Sequence, residues 1–378
     1  MKKIVSLLLA VLFVFSLLSL VGCGKINDAS VAILWRGDGV ATDPNSLINS
    51  MDRAMYIEKI AYEHYGAKGD AAEQVKQAKA ALDAGCAALV VEPVVADIAQ
   101  EIVDAAKAKD VPVIFITGVD LIPDSVTATY DKCVVIASDY STLAEVKGEM
   151  IADYVKANFK KLDKNRDGKI TYFAYDLGAI SVPAVKKANE LLATEDYAVK
   201  GEDKKEINTS VVAADVDFKD ILDVPVETYE MILTAEDVTA FSVLCTLQEK
   251  GYNTDKLTTH FVPVFTFGDT VDYKDYVVEQ GKDHYEENKY LVDLTIVEEK
   301  DLDQMIYTTR NVIEAGRLAG TVLQDDDAIA GAVAKILSNM FKGKDTFAGV
   351  ASEVKDGEAA SVVLYGSRVG VRLIKFVQ

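Results

Sequence analysis

Cysteine, histidine and tryptophan are scarce in this sequence, which contains 4 Cys, 3 His and 1 Trp among 378 residues. The histidines have no partner residues at metal-binding or catalytic spacing, and no nucleophile elbow, phosphate-binding loop or dinucleotide fingerprint occurs. Cys86, Cys133 and Cys245 lie inside apolar segments, which favours free buried thiols, with one disulfide and a spare thiol as the alternative. An enzyme is therefore the least favoured class of function.

Basic residues are also fewer than acidic residues, with 40 Lys and Arg against 60 Asp and Glu. The formal net charge of the whole chain is −20 at pH 7. Nucleic acid and anionic lipid both repel so acidic a protein. We therefore do not expect a nucleic-acid partner.

The N-terminus has the pattern of an export signal. Two lysines precede an apolar run from Ile4 to Val21, and the stretch from Leu20 to Cys23 matches a bacterial lipobox. In that motif the peptidase cleaves before an acylated cysteine, so residues 1–22 are predicted to be a signal peptide and Cys23 the lipid-bearing residue. An uncleaved transmembrane anchor is the alternative, because the run is at the lower edge of spanning length. We expect a lipid anchor on the extracytoplasmic face of the cell membrane.

Apolar runs of strand length alternate with helical stretches along the rest of the chain, which is the pattern of an α/β fold. Asp70 is predicted to be the N-cap of a helix that Gly85 ends, and Asp237 the N-cap of a later helix. Continuous apolar runs such as Val111 to Ile116 indicate strands covered on both faces, and hence parallel sheets. The chain exceeds the size of a single core, so two domains are expected.

The nine residues DKNRDGKIT, which begin at Asp163, place oxygen donors at loop positions 1, 3, 5 and 9. Ca²⁺ takes six to eight oxygen ligands, and this spacing curls the donors around one point, while Gly168 permits the sharp turn. The predicted ligands are side-chain oxygens and one main-chain carbonyl, from Asp163, Asn165, Asp167, Lys169 (carbonyl) and Thr171. The sequence therefore predicts a calcium loop.

The calcium loop lacks the glutamate that closes an EF-hand. That position is Ala174, and the residues around it alternate like a strand rather than a helix. The missing carboxylate must come from elsewhere in the chain, or the site is weak. A solvated polar turn is the alternative, because Asp, Asn and Gly favour turns in any case.

The chain from residue 30 onward resembles the type I periplasmic binding proteins, and within them the galactose/glucose-binding group. Besides the calcium loop, the segments that carry the resemblance are Ala84–Val91 ahead of Pro93, Val111–Val113 and Leu318–Leu323. The resemblance implies two Rossmann-like lobes with parallel sheets, joined by a hinge of three crossings. It places residues 23–138 and about 325–352 in the first lobe, and residues 139–324 and about 360–378 in the second.

The resemblance also completes the calcium site and supplies a ligand site. In the family a glutamate on a later strand closes the calcium loop, and Glu230 matches it. The sugar-binding positions of the family are largely substituted here, with only Asp269 keeping its residue type. The corresponding positions in the cleft are Thr117, Ser181, Lys187, Glu236, Asp269 and Gln324. The resemblance therefore implies that the scaffold of the family is retained while most residues of the sugar pocket differ. It also implies a specificity unlike that of a typical galactose binder.

Trp35, the only tryptophan, ends the predicted first strand, and ligands of open α/β sheets bind beyond the carboxyl ends of strands. It either stacks on the ligand or fills the core. Asp38 lies in the polar loop that follows and is a further ligand candidate.

The favoured function is a substrate-binding lipoprotein that delivers a sugar or similar polar solute to an ABC permease, with two lobes closing around it. A lipoprotein that senses the ligand and signals to a membrane receptor is the alternative.

Overall fold

The structure is a computed structural model that describes residues 30–41, 46–118, 121–175, 179–194, 206–207, 212–213, 228–254, 260–268, 309–351 and 361–377. Cys23 and Asp269 lie outside these ranges. Within them, no helix combines the length and apolar character that crossing a bilayer requires.

Most strands belong to two separate sheets. The first sheet contains seven strands, in the spatial order β13-β14-β5-β4-β3-β1-β2. They are β1 (Ser30–Trp35), β2 (Ala61–Gly66), β3 (Ala88–Val91), β4 (Val113–Thr117), β5 (Cys133–Asp139), β13 (Val362–Tyr365) and β14 (Arg368–Arg372). All neighbours pair in parallel except β13 and β14.

The second sheet contains six strands, in the order β15-β12-β11-β10-β7-β9. They are β7 (Tyr172–Tyr175), β9 (Val212–Ala213), β10 (Met231–Thr234), β11 (Val264–Phe267), β12 (Gly320–Leu323) and β15 (Ile374–Val377). Only β12 and β15 pair antiparallel. A small separate pair joins β6 (Lys169–Ile170) to β8 (Glu206–Ile207).

Helices cover both faces of each sheet. They are α1 (Leu47–Glu58), α2 (Ala71–Asp83), α3 (Ala99–Ala108), α4 (Asp124–Thr127), α5 (Leu143–Leu162), α6 (Ser181–Leu192), α7 (Asp237–Glu249), α8 (Thr309–Glu314) and α9 (Asp326–Phe341). One face of the first sheet packs on α1 and α9, and the other on α2 and α3. The second sheet lies between α5 with α6 on one side and α7 with α8 on the other. This confirms the α/β fold with mostly parallel sheets.

Local sequence explains why the elements begin and end where they do. The Asp70 carboxylate accepts hydrogen bonds from the N–H groups of Ala72 and Glu73, which confirms the predicted N-cap of α2. Gly85, with φ of +87°, follows the end of that helix. The predicted cap at Asp237 is wrong by one residue, because Asp237 is the first helical residue and Glu236 takes the cap position without a side-chain bond.

The chain passes between the two sheets after β5, again between β12 and α9, and finally between β14 and β15. The assignment of residues from about 360 to the second lobe is wrong for β13 and β14. β14 pairs with β5 in the first sheet, and Val369 and Val371 are buried in its core. Among the described residues, the last crossing therefore lies at Leu373, between β14 of the first sheet and β15 of the second. The crossing predicted between about 352 and 360 falls outside the described residues.

Among the described residues, no disulfide joins any two of Cys86, Cys133 and Cys245. Burial raises the pKa of Cys86 to about 11 and that of Cys133 to about 12. Both thiols therefore stay protonated at neutral pH and pack as small apolar side chains.

Candidate functional site

Trp35 fills the core of the first sheet. Only 3% of its surface is exposed, and its Nε1 donates a 2.8 Å hydrogen bond to His64 Nδ1. His64 Nε2 in turn lies 2.8 Å from Asp52 Oδ1. Because neither face of the indole is open, the structure favours the core role of Trp35 over stacking on a ligand.

The loop after β1 lies at the carboxyl end of the first sheet. Arg36 Nε is 3.2 Å from Glu92 Oε1, at the end of β3. Asp38 is exposed, and its Oδ1 accepts a 3.0 Å hydrogen bond from the N–H of Val40. Burial raises the pKa of Glu92, and the Arg36 guanidinium opposes that shift. Glu92 was missed from the sequence because nothing local marks its contact with Arg36.

The ends of β4, β5 and β12 come together in one polar cluster. The Ser138 hydroxyl donates a 2.9 Å hydrogen bond to Gln324 Oε1, and Gln324 Nε2 donates a 2.7 Å bond to Asp326 Oδ1. A Cβ added at Gly118 would lie 3.8 Å from Gln324 Oε1. Thr117 precedes that glycine, and its Oγ1 is buried without a hydrogen-bond partner. Gln324 therefore lies beside the glycine that follows Thr117, and Ser138 and Asp326, which were not among the candidates predicted from the sequence, join Gln324 in the cluster.

An aromatic contact joins the same region to the second sheet. Tyr140 follows β5, and its ring lies edge-on to Phe267 at the end of β11, with centroids 5.3 Å apart. Burial raises the pKa of Tyr140. Burial also raises the pKa of Asp326 to about 6, against the opposing effects of the Gln324 hydrogen bond and the Arg310 charge. The carboxyl edges of the two sheets thus meet at aromatic and polar side chains.

The second sheet presents its own polar edge where β10 turns into α7. Glu236 is exposed there, whereas Asp237 is buried with 3% of its surface accessible. A Cβ at Gly268, which follows β11, would lie within 3.1 to 3.2 Å of the Asp237 carboxylate. Glu236 is placed at the predicted edge, and Asp237 was missed because its position resembles an ordinary helix cap.

The two candidates on α6 have structural contacts. Ser181 is fully buried at the start of the helix. Lys187 Nζ lies 3.4 Å from Glu145 Oε1, and Glu145 also binds Arg372 at the last crossing. Arg372 lowers the pKa of Glu145, despite the opposing effect of burial, and Lys187 adds to the lowering. The structure therefore places Lys187 in an ion-pair network between α5, α6 and β14.

Glu230 reaches the predicted calcium loop. It is 4% exposed, and its Oε1 accepts a 2.6 Å hydrogen bond from the N–H of Lys164 while its Oε2 accepts a 3.0 Å bond from the N–H of Thr171. The carboxylate therefore spans both ends of the loop. Burial lowers the pKa of Lys164, and the Glu230 charge opposes that effect.

The loop itself is held by its own side chains. Asp163 accepts bonds from the N–H groups of Asp167 and Gly168 at 3.1 and 3.0 Å, and Asn165 Oδ1 accepts from the N–H of Asp167 at 2.9 Å. Gly168 has φ of +82°, the left-handed turn that this spacing requires. Across the residues that the structure describes, no group of three or more His, Cys, Asp or Glu side chains is arranged to hold a metal ion.

Comparisons with known proteins agree with this architecture. Residues 45–296 match the family model described as a periplasmic binding protein domain. An ABC transporter solute-binding protein from Bradyrhizobium sp. BTAi1, with bound bis-tris, is 11% identical with a TM-score of 0.51, and the alignment covers 94% of this chain and 85% of that one. An arabinose-binding protein from Geobacillus stearothermophilus is 10% identical with a TM-score of 0.50, covering 93% and 97% of the two chains. No curated protein matches the sequence. These structures show the same fold, and the family match, which spans more than half of the sequence, establishes that the chain belongs to the periplasmic binding proteins.

Proposed function

We propose that this chain is the solute-binding component of an ABC import system and that it takes a carbohydrate between the carboxyl edges of its two sheets. The observation that carries the proposal is the polar cluster of Ser138, Gln324 and Asp326, which lies where the chain crosses between the sheets. Open α/β sheets bind ligands beyond the carboxyl ends of their strands. Membership of a binding-protein family also confirms that the chain is not an enzyme.

The chemistry of the cluster suits sugar hydroxyls, which need paired donors and acceptors. Thr117 Oγ1 offers a hydroxyl with no partner inside the protein. Gln324 and Asp326 offer an amide and a carboxyl group that already form one chain of hydrogen bonds. The edge-on rings of Tyr140 and Phe267 supply apolar surface beside them. The similarity in fold to an arabinose-binding protein supports a carbohydrate as the ligand class.

Each of the two sheets defines one lobe of the proposed binding protein. We assign β1 to β5 with α9, β13 and β14 to the first lobe, and β7 to β12 with β15 to the second. Closure of the lobes would bring Asp38 and Glu236, which are both exposed, toward a bound solute.

We also propose that the loop from Asp163 to Thr171 holds a structural Ca²⁺ ion with Glu230. Carboxylate and amide oxygens are the ligands that Ca²⁺ prefers, and the nearly buried Glu230 carboxylate lies against the loop as a closing ligand would. The chain would supply oxygens from Asp163, Asn165, Asp167, Lys169 (carbonyl), Thr171 and Glu230. The ion would tie α5 to β7 and β10 within the second lobe.

Anchoring is proposed on the sequence alone. The lipobox cysteine, Cys23, would carry the lipid that holds the protein on the extracytoplasmic face of the membrane, near its permease.

A thermal-shift screen tests the ligand class. Monosaccharides, polyols, oligosaccharides and nucleosides are each added to the purified protein, with Gln324→Ala as the site variant. A ligand at 100 times its dissociation constant stabilises the folded protein by about 2.7 kcal/mol, so at least one carbohydrate is expected to raise the melting temperature of the wild type, and to raise that of the variant by less. A response to nucleosides alone would overturn the carbohydrate proposal.

A further inference from the structure

Lys147 is an unusual residue for the interior of a protein. It lies on α5 with 0% of its surface exposed, among the largest fully buried side chains of the molecule. Lysine is almost never fully buried unless its charge is compensated, because removing an ammonium group from water costs several kcal/mol.

One hydrogen-bond partner of Lys147 lies on the second sheet. Its Nζ donates a 2.5 Å hydrogen bond to the main-chain carbonyl of Thr234, the last residue of β10. The Thr234 hydroxyl donates a 3.2 Å bond to the carbonyl of Glu236. The ammonium group therefore holds the start of the turn that carries Glu236 to the carboxyl edge of the sheet.

The same turn is attached to the next two strands. The Asp237 carboxylate occupies the space beside Gly268 Cα, which has φ of +104°. The N–H of Gly268 donates to the carbonyl of Val322, and the Thr321 hydroxyl donates to the carbonyl of Gly268 at 2.9 Å. These contacts hold the ends of β10, β11 and β12 together at one edge of the sheet. The Lys147 ammonium group binds the residue at which the turn after β10 begins.

We propose that Lys147 is a positioning residue for the solute site, which it serves by fixing the turn from Thr234 to Asp237 and so the place of Glu236. This inference rests on the proposed binding function. Lys147 would affect the affinity for the solute through the main chain of this turn. It would not contact the solute itself.

The test compares three variants. Lys147→Met keeps the length of the side chain and removes the ammonium group, whereas Lys147→Arg keeps a donor. Val155→Ala is the control, since Val155 is a fully buried residue of the same helix, about 12 Å further along the axis. All three are compared with the wild type by amide hydrogen exchange over residues 231–240 without sugar, and by titration with the carbohydrate that stabilises the wild type most.

Lys147→Met is expected to speed exchange in the turn and to weaken sugar binding by about tenfold or more, the effect of losing roughly 1.4 kcal/mol. Val155→Ala is expected to lower the melting temperature without changing either quantity, and Lys147→Arg to recover part of the protection. Wild-type exchange and affinity in Lys147→Met would overturn the proposal, as would equal losses in Val155→Ala.

The exchange measurement tests the positioning role of Lys147 separately from the proposed carbohydrate-binding function. It is made on the protein without sugar, so it decides whether Lys147 holds the turn even if the wild type binds no carbohydrate. If Lys147→Met fails to fold, Lys147→Gln removes the charge with a shorter polar side chain. Wild-type exchange over residues 231–240 in that variant would also contradict the proposal.

Discussion

Ser138 and Gln324 are 186 residues apart in sequence, and the hydroxyl of the first donates a 2.9 Å hydrogen bond to the amide oxygen of the second. Each residue lies at a crossing between the two sheets. The bond therefore joins two of the segments that cross between the sheets, and the Gln324 amide in turn binds Asp326 in the proposed solute site.

Gln324→Ala is expected to weaken carbohydrate binding by about 1 to 3 kcal/mol, since it leaves buried polar partners without their hydrogen bonds. Gln100→Ala is the matched control, because Gln100 bonds Asp104 on the exposed surface of α3. Calorimetric titration checks both variants. Wild-type affinity in Gln324→Ala would remove this residue from the site.

Asp326 and its neighbour Asp327 are predicted to affect stability with opposite dependence on pH. Burial raises the pKa of Asp326 to about 6, above its ordinary value of 3.8, so its folded form binds the extra proton between these values. Its contribution to the free energy of unfolding therefore falls as pH rises through this window. Hydrogen bonds from Arg53 and Ser50 lower the pKa of Asp327, so its contribution is present above pH 3.8 and is lost as pH falls.

Melting curves from about pH 2.5 to pH 8 separate the two aspartates, because the window of Asp327 lies below its ordinary pKa of 3.8. Asp326→Asn is expected to flatten the decline in stability between pH 4 and pH 6 and to leave the more acidic range unchanged. Asp327→Asn is expected to change the melting temperature only in the more acidic range. Its effect should be smaller, because Asp327 is exposed. Parallel curves for the wild type and Asp326→Asn would show that Asp326 titrates equally in the folded and unfolded chain.

Calcium is expected to stabilise the second lobe. Chelation with EDTA should lower the melting temperature of the wild type, because an ion that binds only the folded state adds to its stability. Asp163→Ala and Glu230→Gln should melt at a lower temperature and no longer respond to EDTA. Asp83→Ala removes a carboxylate from the exposed surface pair with Lys109 and should behave like the wild type. If EDTA has no effect on the wild type, the loop is a polar turn closed by hydrogen bonds.

Cys23→Ser should abolish lipid attachment, because serine offers no sulfur to acylate. The variant is expected in the soluble extracellular or periplasmic fraction, or as an uncleaved precursor, when fractions are compared by mass spectrometry. Processing and membrane association identical to those of the wild type would contradict the lipobox interpretation.

Features set by nearby residues could be predicted from the sequence. The Asp70 cap depends on residues two and three positions away, and the buried strands follow from continuous apolar runs. Glu230 was found only through a family resemblance, since it lies 59 residues beyond Thr171, whose N–H it binds.

Features set by distant contacts could not be predicted in this way. Trp35 has the position of a stacking residue, and its bond to His64 on the neighbouring strand places it in the core. β14 belongs to the first sheet because it pairs with β5, more than 200 residues earlier. Lys147 is fully buried on α5 and binds the carbonyl of Thr234, 87 residues away, which nothing near it in the sequence indicates.

Calorimetric titration of the wild-type protein with individual carbohydrates tests the binding function most directly. We predict that at least one monosaccharide or polyol binds with a dissociation constant in the micromolar range or below, about −8 kcal/mol or stronger. D-galactose and D-glucose are not expected to bind with submicromolar dissociation constants, because the resemblance implies that most of the family's sugar-binding positions are substituted here. Absence of heat with every carbohydrate, together with binding of a different class of solute, would contradict the proposed function.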